Sequence, residues 1–275
     1  MSLLHVDGLG KKFGGVNAVE DLSFDIAPGA VYSIIGPNGA GKTTLLNLLT
    51  GVYRPSDGRI VFEGHNLTGR APYVYARHGI ARTFQNLQVF FNMSALENVM
   101  VGRYMQERCG LVSALLRSPR LARAERACRD EAAELMRYVG LQDYLSAAAD
   151  AMPYGALKRL EIARALATRP KLMLLDEPAA GLNPTEALEL DGLIGKLTGR
   201  GVTVVLVEHN MRLVMGVSDR ILVLDYGRKL AEGPALAVRN DPKVIEAYLG
   251  SAVSPESVYG EDVARAVAVA AEMHR

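Results

Sequence analysis

The stretch Gly36-Pro37-Asn38-Gly39-Ala40-Gly41-Lys42-Thr43 decides how the rest of this 275-residue chain is read. It fits the spacing G-x-x-x-x-G-K-[ST], in which each residue type has a physical task. Glycines let backbone N–H groups turn inward around phosphate oxygens with no Cβ in the way. The Lys42 ammonium supplies a point charge for β- and γ-phosphates, and the Thr43 hydroxyl is a ligand for Mg²⁺. A chance glycine-rich turn is the competing reading, and the flanking sequence argues against it. Ala30 to Ile35 is a short apolar run bounded by Gly29 and Gly36, the pattern of a buried strand. The residues from Thr43 to Thr50 read as a helix whose positive N-terminal end faces the loop. The stretch therefore predicts nucleotide binding.

Working outward, Arg59 to Glu63 follows the turn Pro55-Ser56-Asp57-Gly58 and reads as one arm of a hairpin. From Ser94 to Leu166 the character becomes helical. Leu121, Glu125, Cys128, Ala132, Leu135, Met136 and Val139 recur at near-helical spacing, with Gly140 placed to stop the helix. Met105 to Arg120 shows little periodicity. Beyond, Leu172–Leu175, Val202–Val207 and Arg220–Leu224 read as strands. Asn183-Pro184 opens a helix with the stripe Leu190, Leu193, Ile194 and Leu197. Strands alternating with helices favour a parallel sheet covered on both faces, here an α/β core interrupted by an all-helical insert. Ser251 to Arg275 is Ala/Val-rich with a weak helical pattern at Val263, Val267 and Ala270, and reads as a loosely attached extension.

Composition narrows the class. The chain is 49% hydrophobic and 22% charged, so a proper core is available. Lys plus Arg is 31 and Asp plus Glu is 30, a formal charge of +1, which argues against a general nucleic-acid binder. Two cysteines, Cys109 and Cys128, make no disulfide framework and fit a reducing compartment. No apolar run approaches the ~20 residues that cross a bilayer, and the first residues do not resemble a signal peptide.

A second centre is acidic. Leu172-Met173-Leu174-Leu175-Asp176-Glu177 is an apolar strand ending in two carboxylates. Such an Asp176 suits Mg²⁺, directly or through water, and Glu177 suits a general base that polarises an attacking water. An ordinary acidic strand terminus is the bland alternative. Gln85, after the strand-like Ile80-Ala81-Arg82-Thr83-Phe84, is placed to sense metal and water, and His209, after Val204 to Glu208, to contact the γ-phosphate. Each alone reads more readily as a surface polar residue, but both follow strands at the end where α/β ligands bind.

Taken together these residues resemble the ATP-binding subunit of an ABC transporter over roughly residues 3–250. The order matches: phosphate loop (Gly36 to Thr44), glutamine loop (Gln85), signature segment (Met152 to Ala156), Walker B strand (Leu172 to Asp176) with Glu177, the D-loop Ala180-Gly181-Leu182-Asn183, and the switch His209. Ala81-Arg82-Thr83-Phe84-Gln85-Asn86, Glu97-Asn98-Val99-Met100-Val101-Gly102, Leu160 to Leu166, Val207 to Met211 and Val244 to Gly250 are similar to the ATPases of branched-chain amino-acid importers, the LivG-like subfamily. The resemblance implies a phosphate-loop NTPase core with an antiparallel β subdomain and an α-helical subdomain. It implies one ABC ATPase domain over 1–250, its helical part about 86–165, with 251–275 as an extension. It also implies ATP and Mg²⁺ as cofactors. Gly36, Pro37, Asn38, Gly39, Ala40, Gly41, Lys42, Thr43 and Thr44 would hold the nucleotide. Phe13 would lie on the adenine ring, though it reads equally as a core phenylalanine. Thr43, Gln85 and Asp176 would serve the metal, and Glu177, His209, Gln85 and Lys42 would carry catalysis. Pro153, Tyr154 and Gly155 would face a second subunit's nucleotide.

One departure stands out. The family signature is Leu-Ser-Gly-Gly-Gln, whereas this chain has Met152-Pro153-Tyr154-Gly155-Ala156. Pro153 lacks the serine hydroxyl and Ala156 the glutamine amide. Proline is tolerated in a first helical turn, so a helix from about Gly155 still presents N–H groups and its dipole. This motivates the expectation of a mixed pair with a second ATP-binding subunit, beside that of a homodimer. Transmembrane permease subunits, and indirectly an extracytoplasmic solute-binding protein, are the other partners implied, with the chain peripheral at the cytoplasmic face of the membrane. The alternatives are an importer for another small solute such as urea or amides, an exporter subunit, and a soluble non-transport ABC ATPase.

Overall fold

The structure is a computed structural model that describes residues 2–104 and 119–249. Its strands are β1 (Leu4–Phe13), β2 (Val16–Ile26), β3 (Val31–Ile35), β4 (Asp57–Phe62), β5 (His65–Asn66), β6 (Ile80–Arg82), β7 (Leu172–Asp176), β8 (Thr203–Val207), β9 (Arg220–Asp225) and β10 (Arg228–Gly233). Its helices through the insert are α1 (Lys42–Leu49), α2 (Pro72–Arg77), α3 (Ala95–Tyr104), α4 (Pro119–Tyr138) and α5 (Tyr154–Ala167). Four more follow: α6 (Pro184–Gly199), α7 (Met211–Val217), α8 (Ala235–Arg239) and α9 (Pro242–Leu249). The chain divides into two compact units, Met1–Pro72 with Ile194–Arg275, and Tyr73–Leu193.

In the first unit, β3 lies between β8 and β9 and is parallel to both. All five residues of β3 and all five of β8 are buried, as expected of parallel strands covered on both faces. β10 folds back antiparallel on β9. Behind them Ile35, Met211, Val214, Ile221, Val223, Val238 and Val244 pack as one apolar cluster. A separate antiparallel sheet has the order β2-β1-β4-β5. The expected hairpin arm is β4, which pairs with the two-residue β5 across Glu63 and Gly64. Both turn residues have positive φ, 48° and 78°, matching the right-handed strand twist.

In the second unit, β6 runs parallel to β7 with Arg82 opposite Leu174. The strand expected over Ile80 to Phe84 ends at Arg82, although the Thr83 N–H still donates to the Leu174 carbonyl at 2.9 Å. Among the described residues the insert is built from α3, α4 and α5. On α4 the expected face is buried at Cys128, Ala132, Leu135 and Met136, with Val139 just beyond the helix, whereas Glu125 is exposed. Gly140 ends that run at φ 78°. The helix α6 is capped reciprocally. Asn183 Oδ1 accepts the Glu186 N–H at 2.9 Å, and a Glu186 carboxylate oxygen accepts the Asn183 N–H at 2.9 Å. The aperiodic stretch from Met105, most of the region to Arg120, and the extension 251–275 lie outside the described residues.

Candidate nucleotide site

In the first unit the phosphate loop leaves the C-terminal end of β3 and runs into α1. Gly41 is the N-cap of α1 at φ 99°, and a Cβ there would strike the Ala18 carbonyl oxygen. Only glycine fits. No side chain caps α1 and its first turn holds no acid, so the helix presents its positive end to the loop. The Lys42 side chain arches back over the loop, donating to the carbonyls of Gly36 at 2.7 Å and Pro37 at 2.9 Å. Lys42 is buried, so its charge is held at the loop's centre rather than in solvent. Thr43 is exposed at the first turn of α1.

Two further expected residues lie in this unit. His209 follows β8, whose C-terminal end is level with that of β3 because Ile34 pairs with Val207. The turn that carries it is fixed by buried Glu208, whose carboxylate accepts the N–H groups of His209 at 3.0 Å and Asn210 at 3.3 Å. Asn210 then caps α7 by accepting from the Leu213 N–H. Phe13, at the end of β1, is 43% exposed, so it is no core residue. Its ring meets Tyr53 edge to face at 5.2 Å, and Lys11 lies over it at 4.9 Å.

In the second unit the two carboxylates that end β7 are each gripped by the segment that ends β6. Arg82 Nη2 donates to Asp176 Oδ2 at 2.8 Å, with both side chains almost fully buried. Gln85 Nε2 donates to Glu177 Oε2 at 2.8 Å. Glu177 sits in the left-handed region at φ 48°, a conformation that a β-carbon disfavours and that recurs at functional positions. The sequence reading placed Gln85 apart from the Asp176-Glu177 pair that ends one strand; the fold brings Gln85 to Glu177. It did not foresee Arg82, whose only signal is a charged residue inside an otherwise apolar strand.

The signature segment starts α5. Pro153 is its N-cap, with φ −67° and ψ 157°, and the helix begins at Tyr154. The helix thus begins one residue before the start near Gly155 expected from sequence, with the proline as its cap. That position also explains the cost of the departure, since the N-cap is the position where a serine hydroxyl would accept an N–H of the first turn. The Pro153 carbonyl accepts from the Leu157 N–H at 3.0 Å, but no side chain caps the helix. Tyr154, 43% exposed, lays its ring against Gly181 of the D-loop, and a Cβ on Gly155 would strike the Glu186 carboxylate.

Chemically, the first unit offers an uncapped helix N-terminus behind a glycine-rich loop, a fixed ammonium, a hydroxyl at the helix start and an imidazole. The second offers a neutralised carboxylate and a carboxylate oriented by an amide. The described residues contain no cluster of three or more His, Cys, Asp or Glu of the kind a structural metal uses. The hard oxygen donor that suits Mg²⁺ in the first unit is the Thr43 hydroxyl, and in the second unit the Asp176 carboxylate.

Residues 19–180 match the ABC transporter family. The chain belongs to the ABC transporter family. Residues 228–254 match a second family, described as branched-chain amino acid ATP-binding cassette transporter. The chain is 45% identical over 251 residues to the high-affinity branched-chain amino acid transport ATP-binding protein LivG of Escherichia coli K12, covering 91% of this chain and 98% of that one. Among solved structures it is similar to the ADP conformation of an ATP-binding cassette of an ABC transporter, with TM-score 0.78, 31% identity, and 91% and 99% of the two chains covered. It is also similar to a dimeric post-hydrolysis cassette bound to ADP and Pi, with TM-score 0.71, 25% identity, and 84% and 98% covered. As an ABC ATPase the chain binds nucleotide and hydrolyses ATP, and its α/β core with an antiparallel sheet and a helical insert is the fold of those cassettes. Among the described residues no helix is long and apolar enough to cross a membrane.

Proposed function

We propose that this ABC ATPase is the energising subunit of a membrane importer for branched-chain or related amino acids, seated on the cytoplasmic face of transmembrane permease subunits. The reading is supported above all by the LivG likeness, which runs over nearly the whole of both chains. An extracytoplasmic solute-binding protein would deliver the solute to the permease.

In this reading Gly36 to Thr44 wrap the triphosphate with backbone N–H groups, and Phe13 offers its exposed face to the adenine. Lys42 neutralises the β- and γ-phosphates. Mg²⁺, when bound, spreads the charge that builds on the transferring phosphoryl group, and Thr43, Asp176 and Gln85 would hold it. Glu177 accepts a proton from the attacking water, its carboxylate oriented by the hydrogen bond from Gln85. His209 donates to the γ-phosphate. The segment Pro153 to Gly155 meets the nucleotide of a second ATP-binding subunit, with the N–H groups of the α5 first turn in place of a serine hydroxyl.

The absent N-cap hydroxyl at Pro153 favours a mixed pair, in which the weaker signature is confined to one of two sites. Light scattering on the Glu177→Gln variant with ATP and Mg²⁺ tests this. A monomer that has bound ATP means that closure needs a different partner ATPase or the membrane subunits, whereas an ATP-dependent homodimer removes the motive for a mixed pair. The importer reading is tested by affinity purification from detergent-solubilised membranes. Multi-span membrane proteins should accompany the chain, and the reconstituted complex should take up leucine in an ATP-dependent manner. A chain that elutes alone would point to a soluble ABC ATPase; uptake of urea or an amide instead of leucine would reassign the solute.

A further inference from the structure

The loop that begins at Gln85 is poorly anchored by its own side chains. Gln85 is exposed, and Phe90 and Phe91 are 45% and 49% exposed. Much of its attachment comes from one face of α5. Lys158, Glu161 and Arg164 are spaced three apart, so they rise along the same side of the helix. Lys158 Nζ donates to the Gln85 carbonyl at 3.0 Å. Glu161 Oε1 accepts the Gln88 N–H at 2.6 Å. The Arg164 guanidinium lies over the Phe90 ring at 5.3 Å. From α3, Asn98 completes the hold by accepting the Phe90 N–H at 2.9 Å and donating to its carbonyl at 3.0 Å.

Lys158 and Glu161 are 4% and 3% exposed on a helix whose other buried positions are apolar. Burying an ammonium and a carboxylate costs free energy unless each is paired or hydrogen-bonded. Glu161 also faces Arg164 at 3.8 Å and Lys158 lies over the Tyr154 ring at 5.6 Å, but their hydrogen bonds go to main-chain atoms of one loop, and that loop carries the amide that orients Glu177. We infer that Lys158 and Glu161 are positioning residues for Gln85: they fix the main chain at Gln85 itself and three residues beyond it, so that its side chain meets Glu177. The same helix begins with the signature segment, so its placement also governs the Gln85–Glu177 contact. This inference rests on the reading of Gln85 and Glu177 as hydrolytic residues.

The test is a double-mutant cycle in ATP turnover on the full chain, with Lys158→Met, Gln85→Ala and the double variant, and Lys158→Arg as the conservative replacement. Lys158→Met should lower kcat about tenfold, with KM and the affinity for a fluorescent ATP analogue within about twofold. In the Gln85→Ala background the same change should cost less than about twofold, because the group being positioned is gone. Lys158→Arg, which still donates to the Gln85 carbonyl, should recover most of the loss. Equal losses with and without Gln85 would mean a merely structural lysine and would overturn the inference. Wild-type kcat in Lys158→Met, with Gln85→Ala impaired, would overturn it alone. Wild-type kcat in Gln85→Ala would overturn it together with the site reading beneath it. Hydrogen exchange gives a readout independent of activity: Glu161→Leu should speed exchange at the Gln88 amide about tenfold or more, and an unchanged rate would remove Glu161 from the account.

Discussion

Arg82 and Asp176 form an ion pair of 2.8 Å in which both side chains are almost completely buried. A strand-end carboxylate shut away from water would otherwise be an unneutralised charge, and Arg82 supplies the opposite charge beside it. Removing one partner of such a pair strands the other.

Arg82→Met should therefore destabilise the folded chain by about 3–5 kcal/mol, the usual scale for an orphaned buried charge. Chemical denaturation of the wild-type and variant proteins measures this. Adding Asp176→Leu to Arg82→Met should restore part of the loss, since the stranded carboxylate is then gone. A loss below about 1 kcal/mol for Arg82→Met would place the pair with weak surface ion pairs instead.

Lys42 is held over the phosphate loop by two carbonyls, at 2.7 and 2.9 Å, in a position from which it can exchange those carbonyls for phosphate oxygens. Charge-assisted hydrogen bonds contribute ~1.5–3 kcal/mol, so Lys42→Met should weaken ATP binding about 10- to 100-fold. Equilibrium binding of a fluorescent ATP analogue reads the change. Affinity for adenosine, which has no phosphates, should be unaffected.

Burial pushes the Glu161 carboxyl above its usual range, against the opposing pull of the Gln88 N–H and the Arg164 and Lys158 charges. A carboxyl with a raised folded-state pKa holds its proton more tightly folded than unfolded. Its contribution to stability is therefore greatest below the unfolded value and is lost as pH rises through the folded one. Between those two values, the melting temperature of wild type should fall with rising pH more steeply than that of Glu161→Gln. Parallel profiles would show that Glu161 does not titrate in that window.

Much of this was legible in the sequence because the signals are local. The phosphate loop needs glycines at fixed spacing, buried parallel strands need unbroken apolar runs, and Asn183-Pro184 opens a helix by cap chemistry alone. What was not legible depends on chain segments far apart. Nothing near Arg82 announces that it meets Asp176, ninety-four residues away. Lys158, Glu161 and Arg164 could have been noticed as charges three apart along one face of a helix, but the loop they grip was visible only in the fold. Tertiary packing also set the boundaries: β6 stops at Arg82 rather than Phe84, and α5 starts one residue early, making Pro153 a cap.

The central claim is that Glu177 is the general base of an ATPase, oriented by Gln85. Its most direct test is ATP turnover of Glu177→Gln alongside its ATP affinity. The account predicts affinity close to wild type, with turnover reduced ~10²–10⁴-fold, the span expected when a general base is removed. Near-normal turnover in that variant would contradict it.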